Sequence, residues 1–274
     1  MSRLPFEGRL LVCDMDGTLL DSTSKLSMEN KRALDRFVAG GGLFTVATGR
    51  MEKSVKRYVK DLPINVPAIV YNGAAIYDFQ AGRLLWEDTL EADLVEPIVN
   101  IAIERFQGIA VEVYHDARMY LVGGNEYTHN HVVREQFEPI ISSLDAVPKP
   151  WVKVILVGDP AKLVQIDEFL KGFDEPFAHV FSEPQFLEIL NQNVSKGSAL
   201  KVLRQMPGFD KACVIAMGDN LNDVELLKEA DIGIAVENAH HELKDIADLN
   251  CTNNDNNAVS EVIGWMEDGK ITCR

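Results

Sequence analysis

The sequence predicts an α/β protein in which a parallel sheet with helices on both faces is interrupted by an inserted α+β segment. Apolar strands and amphipathic helices alternate near both ends of the chain, whereas the middle combines hairpins with helices. Three of the apolar strands also run directly into polar residues. Polar groups at the carboxyl ends of strands are typical of ligand-binding loops in open α/β sheets.

The first part of the chain shows the alternation most clearly. We expect a strand that begins at Leu10, a helix over 28–39, a strand over 43–47, a helix from 51 and a strand over 68–71. A plausible hairpin then joins 75–77 to 84–86. The triplet Gly40-Gly41-Gly42 ends a helix and precedes a strand, so it predicts a turn and not a phosphate-binding loop.

The middle of the chain predicts a separate α+β unit. Its expected elements are a helix to Phe106, strands at 110–114, 119–122 and 152–157, a helix at 161–170, and strands at 178–181 and 186–190. Alternation resumes after Lys196, with strands at 212–217 and 232–236 and helices at 224–228 and up to 266. The two ends must share one sheet to bring their polar strand ends together. We therefore predict a discontinuous core of residues 1–83 and 189–274 and an inserted domain of residues 84–188.

The strongest candidate site follows the first strand. Asp14 and Asp16 stand two positions apart, so in extended backbone both side chains point to the same cavity. Gly17 permits a turn, and Thr18 offers a hydroxyl just beyond it. Two neighbouring carboxylates repel each other unless a cation or a shared proton relieves them, which favours a divalent metal. Asp and Gly are also ordinary turn residues, so this run alone does not decide the matter.

Three later segments supply complementary groups. Thr48 and Gly49 end a second apolar strand, where a hydroxyl and the following amides suit a phosphoryl oxygen. Lys196 stands at the start of a helix, where its charge opposes the helix dipole and calls for an anion nearby. Asp219 and Asp223 follow a third strand and approach each other if a helical turn begins by residue 220.

Each of these segments also has an ordinary structural explanation, as a polar turn, a surface lysine or a helix cap. Their combination is more specific. Together they supply carboxylates, a hydroxyl, an ammonium group and an amide at the strand ends. That set suits attack on phosphorus, where catalysis is mostly positioning and charge neutralisation.

The motifs resemble those of the haloacid dehalogenase superfamily of phosphohydrolases, and within it the Cof-type subfamily (type IIB) with a large inserted cap of the C2 type. The order and spacing match over nearly the whole chain, and the matching segments are Asp14-Met15-Asp16-Gly17-Thr18-Leu19-Leu20, Thr48-Gly49-Arg50, Lys196-Gly197 and Gly218-Asp219-Asn220-Leu221-Asn222-Asp223. Tyr71-Asn72-Gly73-Ala74 also resembles the Asn-Gly segment of the family. The chain departs from the pattern at Glu237 and Ala258, where the subfamily usually has glycine.

The resemblance implies a Mg²⁺-dependent phosphatase with a fold like that of the superfamily. It implies that Asp14 is the nucleophile that becomes an aspartyl-phosphate and that Asp16 is the general acid and base. Mg²⁺ would be held by Asp14, by the main-chain carbonyl of Asp16 and by Asp219, with Asn222 or Asp223 nearby. The phosphoryl oxygens would be held by Thr48, Gly49, Lys196 and Asn222.

Two other functions are compatible with these motifs. A phospho-accepting regulatory domain of the receiver type also uses acids, a threonine and a lysine around Mg²⁺, but Asp16 favours turnover over storage of the phosphoryl group. A phosphomutase would use the same core. For a phosphatase, we expect sugar phosphates as the favoured substrates, with nucleotides and pyridoxal phosphate behind, and the candidate cap contacts are His115, Asp116, Arg118, Asn125, Tyr127, His129 and His131.

The composition agrees with a small phosphorylated metabolite as the partner. The formal net charge is -15, which argues against nucleic acid and against anionic membranes as partners. No apolar stretch approaches a membrane span, and the start lacks a signal-peptide core, so we expect a cytoplasmic protein. The cysteines, which we expect to be reduced thiols, are Cys13, Cys213, Cys251 and Cys273.

Overall fold

The computed structural model describes residues 4–136, 138–174 and 176–272. The chain forms two compact units. The first, which we call the core unit, comprises the described residues up to Arg50, then Val55–Trp86 and those from Ser195 onward. The second, which we call the inserted unit, comprises Met51–Ser54 and the described residues of Glu87–Val194. The fold is the predicted α/β architecture with an α+β insertion.

The elements up to the insertion are β1 (Arg9–Cys13), α1 (Met28–Ala39), β2 (Leu43–Val46), α2 (Glu52–Val59), β3 (Ala68–Val70), β4 (Ala75–Asp78) and β5 (Arg83–Glu87). The inserted unit contains α3 (Ala92–Arg105), β6 (Ala110–His115), β7 (Arg118–Val122), α4 (Glu126–Glu135), β8 (Ile140–Ile141), β9 (Lys153–Val157), α5 (Pro160–Leu170), β10 (Phe177–Glu183) and β11 (Phe186–Asn191). The chain continues with α6 (Lys196–Gln205), β12 (Cys213–Gly218), α7 (Val224–Glu229), β13 (Ile232–Val236), α8 (His241–Ile246), β14 (Leu249–Cys251) and α9 (Ala258–Glu267).

A five-stranded parallel sheet with the order β14-β13-β12-β1-β2 forms the centre of the core unit. Residues 10–13 of β1 are apolar and fully buried, as expected for a strand covered on both faces. The chain steps from β1 to β2 in one direction and from β12 through β13 to β14 in the other. Right-handed crossovers therefore place α1 on one face and α7 with α8 on the opposite face.

This reversal of direction falls between β1 and β12, which pair along their whole length from Arg9↔Cys213 to Cys13↔Met217. In doubly wound sheets, ligands bind in the crevice beyond the carboxyl ends of the strands at such a switch point. The segment with Asp14 follows β1, and the segment with Asp219 follows β12. The topology alone thus brings two of the predicted carboxylate segments to one crevice.

A six-stranded sheet with the order β10-β11-β9-β6-β7-β8 forms the inserted unit. One face packs with α3 and α5 in an apolar core that includes Val113, Trp151 and Leu163. The opposite face carries buried charged and polar side chains, because the cross-strand register places Glu112, Ile155 and Glu188 side by side. On that face Lys153 pairs with Glu188 at 2.8 Å. Buried ions of this kind persist only where a partner compensates for the lost hydration.

Four of the elements named above were not predicted, and one prediction about a cysteine was wrong. Residues 126–135, for which no element was predicted, form α4, and the short elements β8, α8 and β14 were not expected either. Cys13 and Cys251 are free, as expected, and both are buried, whereas the expected reduced thiol at Cys213 is wrong because this cysteine is disulfide-bonded. The expectation for Cys273 lies outside the described residues.

Within the described residues, no helix is long and apolar enough to cross a membrane.

Candidate active site

The turn after β1 is shaped by close contact with the segment after β12. The amide of Asp14 donates to the carbonyl oxygen of Met217 at 2.9 Å, so Asp14 still follows the sheet. Gly17 then adopts φ +82°, and a Cβ atom there would lie 2.5 Å from Oδ2 of Asp219. Glycine is required at this position for both reasons. The absent side chain lets the Asp219 carboxylate approach the turn.

Lys196 is the first residue of α6 and is fully buried. Its Nζ donates to Oδ1 of Asp14 and to Oδ1 of Asp223, both at 2.6 Å. A capping box between Ser195 and Ser198 fixes the start of the helix and hence the position of the lysine. The anion that the sequence analysis expected near this lysine is therefore a pair of carboxylates.

Both oxygens of the Asp223 carboxylate accept hydrogen bonds from the protein. Its Oδ2 accepts from the amides of Asp219 and Asn220 at 2.9 and 3.1 Å, while Lys196 holds its Oδ1. The expected approach of Asp219 and Asp223 across one turn is confirmed, although the turn is a 3-10 helix over Leu221–Asp223. With both oxygens bound to protein donors, Asp223 is better suited to orienting Lys196 and the Asp219 loop than to binding a ligand directly.

Carboxylate oxygens of Asp14, Asp219 and Asp223 all lie within 4.8 Å of one another. Asp219 also accepts from Thr18 Oγ1 at 2.9 Å. Burial raises the pKa of Asp14 well above its usual value, and the nearby Lys196 opposes this effect without cancelling it. Burial, followed by repulsion from Asp223, raises the pKa of Asp219 to about 7.

The three carboxylates fit a divalent cation. When all three carboxylates are ionised, they carry three negative charges against the one positive charge of Lys196, an excess of two that a divalent cation would neutralise. Hard carboxylate oxygens are the ligands that Mg²⁺ takes in proteins, usually one or two per ion together with water or phosphate oxygens. Asp14 and Asp219 match that requirement, since Asp223 is already engaged by main-chain amides and by Lys196.

Asp16 lies apart from this cluster of carboxylates. Its Oδ1 and Oδ2 accept from Nη2 and Nε of Arg50, each at 2.6 Å, in a bidentate ion pair. Arg50 also stacks on the ring of Tyr58 at 5.5 Å. Arg50 was noted in the sequence as part of the Thr48-Gly49-Arg50 segment, and the structure pairs it with Asp16. A role of the Asp16 main-chain carbonyl toward a metal stays a proposal.

The Thr48-Gly49-Arg50 segment and Asn222 both lie beside the side chain of Asn72. Thr48 is buried and its Oγ1 accepts from the amide of Arg50 at 3.1 Å. Asn222 Nδ2 donates to Oδ1 of Asn72 at 2.9 Å, and the Asn72 amide group also lies against Gly49. The structure thus brings the predicted phosphate-binding segments together around Asn72.

Sequence reasoning noted Asn72 only as part of a family-like segment, and it gave Thr18 no partner. A signal for Asn72 was present, because asparagine followed by glycine favours left-handed backbone and a tight turn after the strand. No local signal indicated that Asn238 Nδ2 donates to the carbonyl oxygen of Gly17 at 2.8 Å. That contact spans 221 positions in the chain and depends on the fold.

The topology and the buried carboxylate–lysine cluster define an α/β enzyme suited to phosphoryl transfer. A model of the haloacid dehalogenase-like hydrolase family matches residues 11–263, and the chain belongs to this family. The enzyme is a phosphatase, since proteins named as phosphatases match this chain over almost their whole length.

One such relative is the 5-amino-6-(5-phospho-D-ribitylamino)uracil phosphatase YwtE of Bacillus subtilis (strain 168), with 28% identity over 289 residues, 96% of this chain and 99% of YwtE. A haloacid dehalogenase-like hydrolase from Bacteroides thetaiotaomicron has a TM-score of 0.82 and 26% identity and covers 95% of this chain and 100% of that chain. The subclass IIB sugar phosphatase BT4131 also has a TM-score of 0.82, covering 96% of this chain and 100% of its own, but at 18% identity it is similar in fold alone.

Proposed function

We propose that this phosphatase is Mg²⁺-dependent and hydrolyses small phosphomonoesters through an aspartyl-phosphate on Asp14. The observation that carries the proposal is the contact of Lys196 with both Asp14 and Asp223 at 2.6 Å, beside the carboxylate of Asp219. A nucleophilic carboxylate must be charged and fixed in place, and the lysine favours both. The remaining negative charge supports a divalent cation at the same site.

The first step transfers the phosphoryl group to the protein. A carboxylate oxygen of Asp14 attacks phosphorus, the bond to the ester oxygen breaks, and Asp16 gives a proton to the leaving alkoxide. In the second step water attacks the aspartyl-phosphate, Asp16 takes its proton, and inorganic phosphate leaves. Asp16 must exchange its ion pair with Arg50 for these contacts, because Arg50 occupies both of its carboxylate oxygens.

Asp14 and Asp219 would hold Mg²⁺ with the main-chain carbonyl of Asp16, and Asp223 would support them through Lys196. The ion would neutralise charge on the transferring phosphoryl group. Thr48, Gly49, Lys196 and Asn222 would hold the phosphoryl oxygens. Their convergence on the carboxyl ends of β1, β2 and β12 supports this assignment.

Sugar phosphates and phosphorylated polyols are the substrate class that we favour. YwtE is named for a substrate with a phosphate on a ribityl chain, and BT4131 is named a sugar phosphatase. Both names describe a phosphate ester of a polyhydroxylated carbon chain. We further propose that residues 84–188, which contain none of the four motifs, govern which ester is accepted.

The test is phosphate release from a panel of phosphate monoesters, including hexose phosphates, nucleotides and pyridoxal phosphate. Chelation with EDTA should abolish release, Mg²⁺ should restore it, and Ca²⁺ should restore it poorly because it takes more ligands at longer distances. Full activity after exhaustive chelation would contradict the metal dependence. An isomerised sugar phosphate without free phosphate would instead identify a phosphomutase.

A further inference from the structure

Asn72 has a buried hydrogen-bond donor that no described residue satisfies. The side chain is 1% exposed, and its Nδ2 has no hydrogen-bond partner within the described part of the chain. Buried amide groups are normally hydrogen-bonded, since an unmade bond costs the full loss of hydration. Such an exception calls for a specific explanation.

The backbone around Asn72 is held in an unfavourable conformation. Tyr71, Asn72 and Gly73 have φ angles of 53°, 55° and 100°, so three successive residues are left-handed. Glycine adopts this region freely and asparagine tolerates it, whereas a tyrosine held there is strained, and such strained residues cluster at functional sites. The main-chain amide of Asn72 donates to the carbonyl oxygen of Thr48 at 3.0 Å, so this turn is bonded to the Thr48-Gly49-Arg50 segment.

The unsatisfied donor lies among the proposed phosphate-binding groups. A Cβ atom at Gly49 would lie 3.1 Å from Asn72 Nδ2, so the amide group rests directly against that glycine. The other end of the same amide, Oδ1, accepts from Asn222 at 2.9 Å. Both neighbours are residues to which we assign the phosphoryl oxygens.

The turn at Asn72 also contacts the start of α6, where Lys196 lies. A Cβ atom at Gly73 would lie 2.1 Å from the carbonyl oxygen of Ser195 and 2.8 Å from the amide nitrogen of Lys196. The Asn72 turn is therefore packed against the residue that carries the site's ammonium group. Through Thr48, Gly49, Asn222 and Lys196, Asn72 is connected to every group that we assign to phosphate binding.

We propose that Asn72 is a fifth phosphate-binding residue, whose Nδ2 donates to a phosphoryl oxygen while its Oδ1 orients Asn222. The inference rests on the proposed phosphatase reaction and assigns a new residue to the phosphoryl half of the substrate. A phosphoryl oxygen supplies the acceptor that the buried donor lacks. Since the contact is to the phosphoryl group, it is independent of the leaving group.

Two substitutions test the proposal. Asn72→Gly removes the amide group and suits the left-handed backbone, whereas Asn72→Asp keeps the shape and replaces the donor by a charge that repels phosphate. We expect each to raise the inhibition constant of inorganic phosphate by about ten-fold to a hundred-fold, the effect of one hydrogen bond to a charged group. The loss in kcat/KM should be the same for an aryl phosphate and for a hexose phosphate.

Asn65→Asp is the matched control. Asn65 Nδ2 donates to Gly42 and Oδ1 accepts from Phe44 at the amino end of β2, away from the site. It should lower the melting temperature and leave phosphate inhibition unchanged. Unchanged phosphate inhibition in both Asn72 variants, or losses that differ between the two substrates, would overturn the assignment. A wild-type protein that neither releases nor binds phosphate would overturn the proposed function itself.

Discussion

At the scale of single residues, the site separates two aspartates that the sequence places two positions apart. Asp14 is buried against Lys196, while Asp16 is partly exposed and paired with Arg50. Strand alternation predicted that both side chains point toward one cavity, but it gave no information about their partners. The two environments differ because the partners come from different parts of the chain, with Lys196 182 positions from Asp14 and Arg50 34 positions from Asp16.

These environments support different roles, and substitution distinguishes them. Asp14→Asn should abolish both turnover and phosphoenzyme formation, because an amide cannot serve as the nucleophile. Asp16→Asn should lower turnover by about 10²–10⁴-fold, the usual contribution of a positioned acid and base. It should still permit phosphorylation of Asp14 by an ester with a good leaving group. The measurement is acid-quench trapping of the phosphoprotein followed by peptide mapping. Phosphate trapped on Asp16 in the Asp14→Asn protein would reverse the roles.

At the scale of secondary-structure elements, α6 positions the lysine through a close contact with α7. A Cβ atom at Gly197 would lie 2.2 Å from the carbonyl oxygen of Glu225, so the two helices approach each other at the backbone of Gly197. In the sequence Gly197 is visible only as part of the Lys196-Gly197 motif, without a packing reason for the glycine. The contact is not readable from local sequence, because it depends on where α7 lies.

This contact predicts opposite effects for two glycine substitutions in helices. Gly197→Ala should destabilise the protein by about 1–3 kcal/mol, because main-chain atoms of α7 must move. It should also lower kcat by displacing Lys196. Gly264→Ala is the control, since no atom of the described residues lies within 4 Å of the added Cβ and the helix gains stability by about 0.5–1 kcal/mol. Urea unfolding and steady-state kinetics measure both effects. Similar stability changes at the two positions would contradict the packing argument.

Helix α4, which was not predicted from the sequence, shows where hydrophobic patterns fail. Helix α4 buries Thr128, His131 and Glu135, so its inner face is polar and shows no apolar periodicity. His131 reaches Glu112 at 2.9 Å, on the charged face of the inserted sheet. The reliable signal was the capping box from Asn125 to Thr128, a variant without the usual Glu or Gln at its end. A helix that covers a polar surface cannot be recognised by hydrophobicity.

At the scale of the whole molecule, four of the five strands of the parallel sheet were predictable because they are mostly apolar runs bounded by turns, whereas β14, with the sequence Leu-Asn-Cys, was not. The crevice was predictable for the same reason, since strands that share a sheet bring their carboxyl ends together. The contact partners of the side chains within the crevice were not predictable from the sequence. The contact of Lys196 with Asp223, the Arg50–Asp16 pair and the Asn72–Asn222 contact each require a specific rotamer and a neighbouring element. The assignment of substrate choice to residues 84–188 stays a prediction.

The carboxylate cluster also links the stability of the whole molecule to pH. Burial and Asp223 raise the pKa of Asp219 in the folded protein from 3.8 to about 7. A raised pKa means that the folded state binds the proton more tightly than the unfolded state does. The contribution of Asp219 is therefore complete below pH 3.8 and is lost as the pH rises through 7. The raised pKa of Asp14 acts with the same sign.

Mg²⁺ should reverse this loss, because it binds the charged form of the same carboxylates. We expect Mg²⁺ at 100 times its Kd to raise the melting temperature by about 5–10 °C at pH 8 and by much less at pH 5.5. Thermal melts in EDTA and in Mg²⁺ at both pH values measure the difference. Asp219→Asn is the control, since it removes the titrating carboxyl and a metal ligand and should eliminate most of the Mg²⁺ shift. An equal Mg²⁺ shift at both pH values in the wild-type protein would show that the cation binds elsewhere, because protons would then not compete for its site.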